Sequence, residues 1–369
     1  MRIPGFVDHH AHLVRYGGVP QAPYDRADPG SIGAWHRDVA ARGSTPMDEA
    51  PEPAGPDLPE RIHRILETAA RAGLVEVTEA GLLDPSHLDA LRTLRERGPL
   101  PTRVRILVAS GLAEAAMPTR LGDPWLEVVG VKFYADGWVG PRTCALGHAF
   151  DDRPGDDGVL FLPPDQLARR AAPFAERGWT LATHAIGDRA IEAVLNAYER
   201  VYGEDCATAS PRIEHAQVLR ADLVARMAEM GVTACIQPSF AVSDAMSARA
   251  ALGVERMETA YRWSALLDAG VRVITGSDWP IESMSPLVGL QHLVTGAGDD
   301  GEPVAEALPV DVALALMTDA DAGTTDLAAD PTALAHSAIA SITVLGTQPA
   351  EGTAPTDPGP GPPRRAEGV

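Results

Sequence analysis

The sequence predicts an α/β protein, a TIM-type (β/α)8 barrel, and two observations support this fold class. From Ile3 to Pro280, eight apolar segments typical of strands alternate, for the most part, with segments whose apolar residues recur at helical spacing. Strands separated by helices of about 10–15 residues are parallel, and eight such units close into a barrel. No GxGxxG fingerprint follows the first strand, which disfavours the competing fold, an open doubly wound sheet.

Each predicted element follows from its own pattern. The first apolar run, residues 3–7, ends at Asp8 and a histidine cluster and is typical of a short buried strand. The first regular helix, residues 58–73, has its apolar residues on one face, Pro59 at its start and Gly73 at its end. The later strands are predicted at 74–81, 102–111, 128–137, 179–188, 211–216, 232–239 and 271–280. The later helices are predicted at 86–98, 163–178, 188–203, 220–231 and 259–270.

The regions outside this alternation set the predicted domain organisation. Residues 14–57 are rich in Gly, Pro and Asp and are predicted to belong to a long substrate-facing loop. After Pro280 the regularity fades, with a helix expected at 309–317 and one more strand at 340–346. We therefore predict a (β/α)8 barrel over residues 1–320, a remnant of a small β domain over 321–347 and a disordered tail over 348–369.

Composition excludes several classes of function. The chain carries 31 basic and 51 acidic residues, a net charge of −20, so nucleic acid and anionic membrane surfaces are not expected as partners. Its three cysteines form no CxxC pair, which is typical of a reducing compartment. The N-terminus shows no signal pattern and no apolar run is long enough for a membrane helix. The expectation is a cytoplasmic protein that acts on a small molecule, either as a monomer or as a homo-oligomer.

Polar residues occur where the predicted strands end, and they are candidate metal ligands. In a barrel, the carboxyl ends of the strands meet in one cup, where active sites lie. The first strand leads into a His-x-His pair, whose i and i+2 positions can both face the barrel mouth. Neutral imidazoles suit zinc, and a carboxylate completes the set. The candidates are His10, His12, Lys132, His184, His215 and Asp278.

Lys132 has two interpretations. A lysine inside a barrel can simply pair with a carboxylate. However, a buried ammonium beside metal cations is strongly disfavoured, and a neutral lysine can add carbon dioxide to form an anionic carbamate that bridges two ions. Spacing alone does not distinguish these interpretations.

The sequence resembles the amidohydrolase superfamily, specifically the amidohydrolase-3 branch that includes N-substituted formamide deformylases. The matching segments lie between residues 4 and 280, about three quarters of the chain. They are PGFVDHHAHL, VKFYADGWVGPRT, THAIGDRAIEAVLNAYE, RIEHAQ, the QPS of the seventh strand, and GSDWP. HAIGDRAI followed by GSDWP is far more specific than a single His-x-His pair.

The resemblance implies a role for each candidate ligand. His10 and His12 match ligands of the more buried metal, and His184 and His215 match ligands of the second metal. Lys132 matches a carboxylated lysine that bridges the two ions. Asp278 matches the aspartate of the last strand, which binds metal and transfers the proton. The implied cofactor is one or two Zn²⁺ ions, with other divalent metals left open.

Two departures from the family pattern modify these expectations. His9 occupies a position where the family usually has a small polar residue, and it should point away from His10. The chain also begins at the first barrel strand, and the usual C-terminal strand of the family is not recognisable. The β-sandwich that normally flanks the barrel is therefore expected to be reduced or missing.

Substrate contacts are less sharply indicated. Trp138 and Arg142 follow the fourth strand, and Asp188 begins the helix after His184, so all three are candidate substrate-binding residues. Asp188 also fits the alternative role of a helix N-cap. Glu214 precedes His215 and should face outward by strand alternation, in a structural role.

The resemblance implies hydrolysis of a carbon–nitrogen bond other than a peptide bond, in an amide, formamide or cyclic amide. Asp278 would act as general base toward the attacking water and then as general acid toward the leaving nitrogen. Two alternatives remain open: ester or lactone hydrolysis or deamination at the same site, and a non-catalytic barrel that has lost activity with its sandwich domain. A substrate screen separates the enzymatic alternatives, and metal content separates the non-catalytic one.

Overall fold

The structure, a computed structural model, describes residues 1–13, 29–45, 57–298 and 303–351 of the chain. Strands and helices alternate through most of these ranges. The strands are β1 (Arg2–Ala11), β2 (Leu74–Leu82), β3 (Arg103–Ala109), β4 (Leu126–Tyr134), β5 (Thr180–Ala185), β6 (Arg212–His215), β7 (Thr233–Ile236), β8 (Val273–Thr275), β9 (Thr318–Leu327) and β10 (Val344–Pro349). The α-helices are α1 (Pro29–Ala41), α2 (Leu58–Ala72), α3 (Pro85–Arg97), α4 (Ser110–Ala115), α5 (Pro164–Ala175), α6 (Asp188–Tyr202), α7 (Cys206–Ala209), α8 (Ala221–Met230), α9 (Phe240–Ser243), α10 (Ala245–Met257), α11 (Trp263–Asp268), α12 (Pro286–Thr295) and α13 (Val310–Met317).

The strands form one sheet whose first eight members are parallel and follow the order of the chain, β1 to β8. Such a sheet is buried on both faces, and its strands read as nearly continuous apolar runs. All seven residues of β3, for example, are buried. The predicted α/β class with parallel strands is therefore confirmed.

The two ends of this parallel series meet through the segment that follows β8. The backbone N–H of Asp278 donates to the carbonyl of His10 at 2.7 Å, and the N–H of His12 donates to the carbonyl of Trp279 at 2.7 Å. The buried carboxylate of Asp8 accepts two further hydrogen bonds from Ser277, from its N–H at 3.0 Å and its hydroxyl at 2.5 Å. These contacts fix the end of β1 against the segment that carries Asp278.

The last two strands extend the sheet on the other side of β1. β9 pairs antiparallel with β1, and β10 pairs antiparallel with β9. They occupy the part of the chain where a small β domain was expected, although the predicted boundaries of that domain stay a prediction. β10 runs to Pro349, two residues into the predicted tail, and residues 352–369 lie outside the described ranges.

Several predicted elements have different bounds in the structure. β1 continues past residue 7 because Ala11 still pairs with Glu79 of β2. β8 is shorter than the predicted strand: the N–H of Gly276 still donates to the carbonyl of Ile236 on β7, and from Ser277 onward the chain bonds to β1 instead. The predicted strand 340–346 begins instead at Val344, which pairs with Leu327, after a 3-10 helix over His336–Ser341.

Part of the predicted substrate-facing loop is helical. α1 lies within the 14–57 segment, and Ile32 on this helix is buried. Residues 14–28 and 46–56 lie outside the described ranges. Elsewhere, α4 replaces the last residues of the predicted strand 102–111.

Two properties of the described residues bear on the class of protein. None of their helices is both long enough and apolar enough to span a bilayer. Cys144, Cys206 and Cys235 are buried and form no disulfide.

Tyr198 ties one helix to the two strands that carry His184 and His215. It lies on the buried face of α6, and its hydroxyl donates to the Arg212 carbonyl on β6 at 2.8 Å and can accept from the Thr183 hydroxyl on β5, also at 2.8 Å. One turn further along α6, the hydroxyl of Tyr202 is buried and has no hydrogen-bond partner among the described residues. The hydroxyl of Tyr198 is therefore hydrogen-bonded, whereas the hydroxyl of Tyr202 has no partner among the described residues.

We predict that Tyr198→Phe lowers the free energy of unfolding by about 1–2 kcal/mol, because it removes the buried hydrogen bonds to the Arg212 carbonyl and the Thr183 hydroxyl. The matched control, Tyr202→Phe, should leave stability unchanged or slightly raised, because it removes a buried hydroxyl that has no described partner. Urea unfolding followed by circular dichroism measures both. Equal losses in the two variants would contradict the assigned role of the Tyr198 hydroxyl.

Candidate metal centre

A cavity of about 350 Å³ lies at the carboxyl ends of the parallel strands. All six candidate ligands line it, from β1, β4, β5, β6 and the segment after β8, as does Trp138. The wall also includes apolar side chains, among them Ile32, Ile186, Phe240 and Ile281. The sequence-based grouping of the six residues is thus matched by their position, while their role as ligands stays a prediction.

His10 is held by a buried carboxylate. Its Nδ1 lies 2.5 Å from Glu214 Oε2, and its Nε2 makes no hydrogen bond with any described residue. Burial, together with the charge of Lys132, lowers the pKa of His10 to about 4. The imidazole is therefore neutral, the form that a metal ligand requires.

Glu214 was expected to face outward, and this expectation is wrong. The residue is fully buried, and its carboxylate bonds both His10 and the guanidinium of Arg212, with Arg212 Nε at 2.8 Å from Oε1. Alternation fails at the end of β6 because His215 and Ala216 have φ angles of 78° and 45°, which ends the regular pleat. Burial by itself would raise the pKa of Glu214, but Arg212 and His10 hold it well below its usual range.

His12 lies between two carboxylates. Its Nε2 is 3.1 Å from Asp278 Oδ1, and its Nδ1 is 3.7 Å from Oε1 of Glu79, a fully buried residue of β2. Burial alone would lower the pKa of His12, but the hydrogen bonds and charges of Asp278 and Glu79 raise it overall. A carboxylate behind a histidine orients the ring and strengthens it as a ligand.

The histidines of β5 and β6 are oriented by neighbouring polar groups. The ring of His184 stacks on Tyr134 with centroids 3.8 Å apart, and its Nε2 lies 3.1 Å from the carbonyl of Gly137. His215 Nδ1 lies 2.7 Å from Gln237 Oε1, and its ring is 4.5 Å from that of His184. Hydrogen bonds of this kind select which ring nitrogen carries the proton.

Lys132 is only 1% exposed, although its side chain ends in an amine. Burial lowers its pKa, while the carboxylates of Glu214 and Asp278 oppose that shift. A lowered pKa increases the fraction of neutral amine, which is the form that can add carbon dioxide. Both interpretations of Lys132, ion pairing and carboxylation, remain compatible with this environment.

The donor atoms fit a divalent cation. One donor atom from each of His10, His215 and Asp278 lies within 4.8 Å of the other two. For comparison, the ligands of a tetrahedral zinc ion lie about 3.4 Å apart. His10 Nε2 is buried, makes no hydrogen bond with described residues and lies 3.6 Å from Asp278 Oδ1, which also contacts His12 Nε2 at 3.1 Å. A buried ring nitrogen with no partner is costly in a protein interior, and a cation shared with Asp278 would satisfy it.

Two predicted substrate contacts, Arg142 and Asp188, lie outside the cavity lining, and their role in substrate binding stays a prediction. The guanidinium of Arg142 pairs with Asp152 and bonds Ser247 Oγ at 2.8 Å, so it fixes the loop after β4 and does not line the cavity. The carboxylate of Asp188 accepts from the Gly147 N–H at 2.8 Å and from Arg220, and it does not line the cavity either. Nor is Asp188 the N-cap of α6, because that position is Gly187.

Sequence reasoning missed several cavity residues. Gln217 and Asp244 line the wall beside Tyr134, whose hydroxyl accepts a hydrogen bond from Trp138 Nε1. Burial raises the pKa of Asp244 to about 7. Gln217 lies only two residues beyond His215, so its place in the RIEHAQ segment was the available signal. Asp244 lies between α9 and α10, in a region whose sequence has no regular apolar period, so no such signal existed.

A comparison with protein-family models matches residues 43–359 to the amidohydrolase family. The chain belongs to the amidohydrolase family. The matched range includes the candidate ligands from β4 onward, while His10 and His12 precede it.

Curated relatives of this chain are much longer than the segments that match it. It is 35% identical over 232 residues to amidohydrolase YtcJ of Bacillus subtilis (strain 168), covering 61% of this chain and 44% of YtcJ. It is 31% identical over 166 residues to the N-substituted formamide deformylase of Arthrobacter pascens, covering 44% of this chain and 30% of that enzyme. The matched part thus spans less than half the length of either relative.

Solved structures share the fold of this chain. A metal-dependent hydrolase from Pyrococcus horikoshii OT3 aligns with a TM-score of 0.71 at 19% identity, covering 91% of this chain and 87% of that one. Another, from Pyrococcus furiosus, aligns with a TM-score of 0.66 at 22% identity, covering 86% and 81%. At these identities the likeness concerns the fold alone.

The position of Glu214 behind His10 leads to a prediction about metal affinity. We expect Glu214→Gln to weaken zinc binding by about 10–100-fold, because the amide lacks the charge that orients and polarises the imidazole. Competition with a chromophoric chelator measures the affinity. The matched control is Glu127→Gln, which alters a buried carboxylate that bonds the N–H groups of Leu121 and Gly122 at the amino end of β4. Unchanged zinc affinity in a folded Glu214→Gln variant would refute the orienting role.

Proposed function

We propose that this amidohydrolase is a metal-dependent hydrolase that cleaves a carbon–nitrogen bond in an amide, formamide or cyclic amide. The observation that carries the proposal is the convergence of donor atoms from His10, His215 and Asp278 within 4.8 Å, on one side of a cavity large enough for a small substrate. Family membership supports hydrolysis. The formamide deformylase among the relatives supports the choice of bond.

We infer that β1 to β8 close into the (β/α)8 barrel predicted from the sequence. The parallel strand order and the hydrogen bonds between β1 and the segment after β8 support closure. In such a barrel the carboxyl ends of the strands form the active-site face. The cavity with the candidate ligands lies at this end of the strands.

The metal would be held by the four histidines and Asp278, with Lys132 as a bridge if it is carboxylated. When bound, a divalent ion lowers the pKa of water and polarises a substrate carbonyl. Zinc is proposed because the donors are imidazoles and a carboxylate. The number of ions, one or two, follows from the state of Lys132.

Asp278 is the group proposed to move the proton. Burial by itself would raise its pKa, but the imidazoles of His10 and His12 lower it well below the usual range, so the carboxylate is anionic. Its Oδ1 faces the donor cluster, 3.1 Å from His12 Nε2 and 3.6 Å from His10 Nε2. From this position it can accept a proton from an attacking water and deliver it to the leaving nitrogen, which departs poorly without one.

The remaining cavity wall is proposed to bind the substrate. Ile186, Phe240 and Ile281 offer apolar surface, and Trp138 and Tyr134 offer aromatic surface. Pockets of this kind hold the apolar body of a ligand and orient it by a few polar groups. Gln217 and Asp244 are the polar groups that line the cavity here without being candidate ligands.

A substrate panel tests the proposed bond. Zinc-loaded protein is assayed against N-substituted formamides, cyclic amides, lactones, simple esters, amino-substituted heterocycles and an Xaa-Pro dipeptide. Turnover of formamides or cyclic amides is expected. Turnover of lactones and esters alone, or of the dipeptide alone, would overturn the bond assignment. Protein that neither retains nor takes up zinc would favour a non-catalytic barrel.

Asp278→Asn separates proton transfer from metal binding. The substitution keeps one metal-facing oxygen, and asparagine tolerates the φ angle of 57° found at this position. We expect zinc content to be largely retained and kcat on the best substrate of the panel to fall by about 10²-fold or more. Zinc analysis of the same preparation is the control. A near-normal kcat would limit Asp278 to ligand binding, and another base would have to be sought.

Lys132→Ala tests the bridging role. If Lys132 is carboxylated, the variant should lose a bound metal ion and most activity, and added acetate or propionate should restore part of it by occupying the vacated position. Acetamide, which is neutral and of similar size, serves as the control and should not rescue. Full metal content without rescue would favour the ion-pairing interpretation of Lys132.

A further inference from the structure

A second cavity, of about 220 Å³, lies at the opposite end of the parallel strands. It is lined by residues at or near the amino ends of β2 through β8, together with His9 of β1. None of the six candidate metal ligands lines it. Four arginines line this amino-end cavity, against two carboxylates. The arginines are Arg105, Arg120, Arg212 and Arg272, and the carboxylates are Glu76 and Asp319.

Within this cavity, Arg105 is a buried cation whose bonding is incomplete. It is 4% exposed, and its Nη2 lies 2.8 Å from Glu76 Oε2. The same oxygen lies 3.2 Å from Nη2 of Arg103, which is equally buried. Arg105 Nη1 has no hydrogen-bond partner among the described residues. One carboxylate therefore serves two buried guanidinium groups, and a buried N–H donor without an acceptor is costly.

The positive charge of Arg212 is largely neutralised by Glu214, the carboxylate that holds His10. Its guanidinium bonds Glu214 through Nε and Nη2, and Nη2 also donates to the carbonyl of His9 at 2.8 Å. Burial and the charges of Arg212 and Arg272 lower the pKa of His9 to about 3. The histidine is therefore neutral, and the positive charge of this cavity comes from the arginines.

The cavity has an entrance, and its rim carries charge. Arg120 and Asp319 line it and are exposed. The guanidinium of Arg120 lies over the ring of Trp179 at 4.4 Å and donates to the carbonyl of Gly178 at 2.7 Å. An arginine fixed in this way contributes positive charge at the rim without a large loss of side-chain freedom.

We propose that the amino-end cavity binds a small oxyanion, with inorganic phosphate as the representative ligand. Guanidinium groups form paired, charge-assisted hydrogen bonds to such ions. The bound ion would supply the acceptors and the negative charge that Glu76 and the exposed Asp319 do not provide for four arginines. The chain as a whole carries a net charge of −20, which repels anions at long range, so retention of phosphate requires a local cluster of cations.

Isothermal titration calorimetry of the metal-free, full-length protein with phosphate tests the proposal. Chelator treatment removes the metal centre as a competing phosphate site, and sodium chloride at matched ionic strength controls for screening. A carboxylate dianion, succinate, is titrated in parallel to show whether the cavity prefers phosphate or carboxylates. The variants are Arg105→Gln and Arg272→Gln. The matched control is Arg92→Gln, which removes a partly exposed arginine that pairs with Asp89 on α3.

Saturable binding of one phosphate or one succinate per chain is expected, weakened about tenfold or more in Arg105→Gln and in Arg272→Gln and unchanged in Arg92→Gln. The thermal midpoint of the wild type should rise with the bound anion but not with chloride. Absence of saturable binding to the wild type, or an affinity equal to that of the wild type in both cavity variants, would overturn the proposal. Should Arg105→Gln fail to fold, the half-buried Arg272 and the wild-type titration still decide it.

Discussion

The meeting of β1 with the segment after β8 is the constraint on which the site depends. Asp278 reaches the histidines because its N–H bonds the carbonyl of His10 and because Ser277 is held by the carboxylate of Asp8. Two segments separated by more than 260 residues along the chain are thereby fixed within hydrogen-bonding distance of each other. A shift of this junction would separate the candidate ligands, and positional errors of about 1 Å are costly in metal sites.

Below the donor atoms, buried charges are arranged in a line. Arg212 bonds Glu214, and Glu214 bonds His10, all within the interior of the sheet. Removing one member of a buried ionic pair leaves the other uncompensated, which costs far more than the pair itself contributes. The arrangement orients the ring of His10 and keeps Glu214 anionic. The orientation of His10 in the candidate metal site therefore depends on the position of Arg212 and Glu214 in β6.

The sequence predicts more of the fold and of the donor set than of the residues around them. Strand periodicity and the order of His10, Lys132, His184 and Asp278 along the chain suffice to bring them to one cavity, because parallel strands end on the same side. Glu214 could not be placed, because a left-handed backbone at His215 interrupts alternation, and such a conformation leaves no mark in hydrophobic periodicity.

Arg142 and Asp188 lie outside the cavity lining for a common physical reason. Arg142 and Asp188 follow strands that lead into the cavity, but their charges are neutralised locally, by Asp152 and by the Gly147 N–H and Arg220. Pairings between loops depend on tertiary structure and are not encoded in local spacing. The same holds for Ile32, which lines the cavity from a helix inside a segment that lacks a sustained apolar period.

Arg212 links the two cavities. It lines the amino-end cavity, and it bonds Glu214, the carboxylate that holds His10 in the other. A substitution at this residue changes both environments at once, whichever of them it was intended to alter. Laboratory evolution of this chain toward new substrates would therefore progress most readily through the walls formed by α1 and by the loop around Trp138. Position 212 would stay fixed in such a library, because few replacements could serve both ends of the sheet.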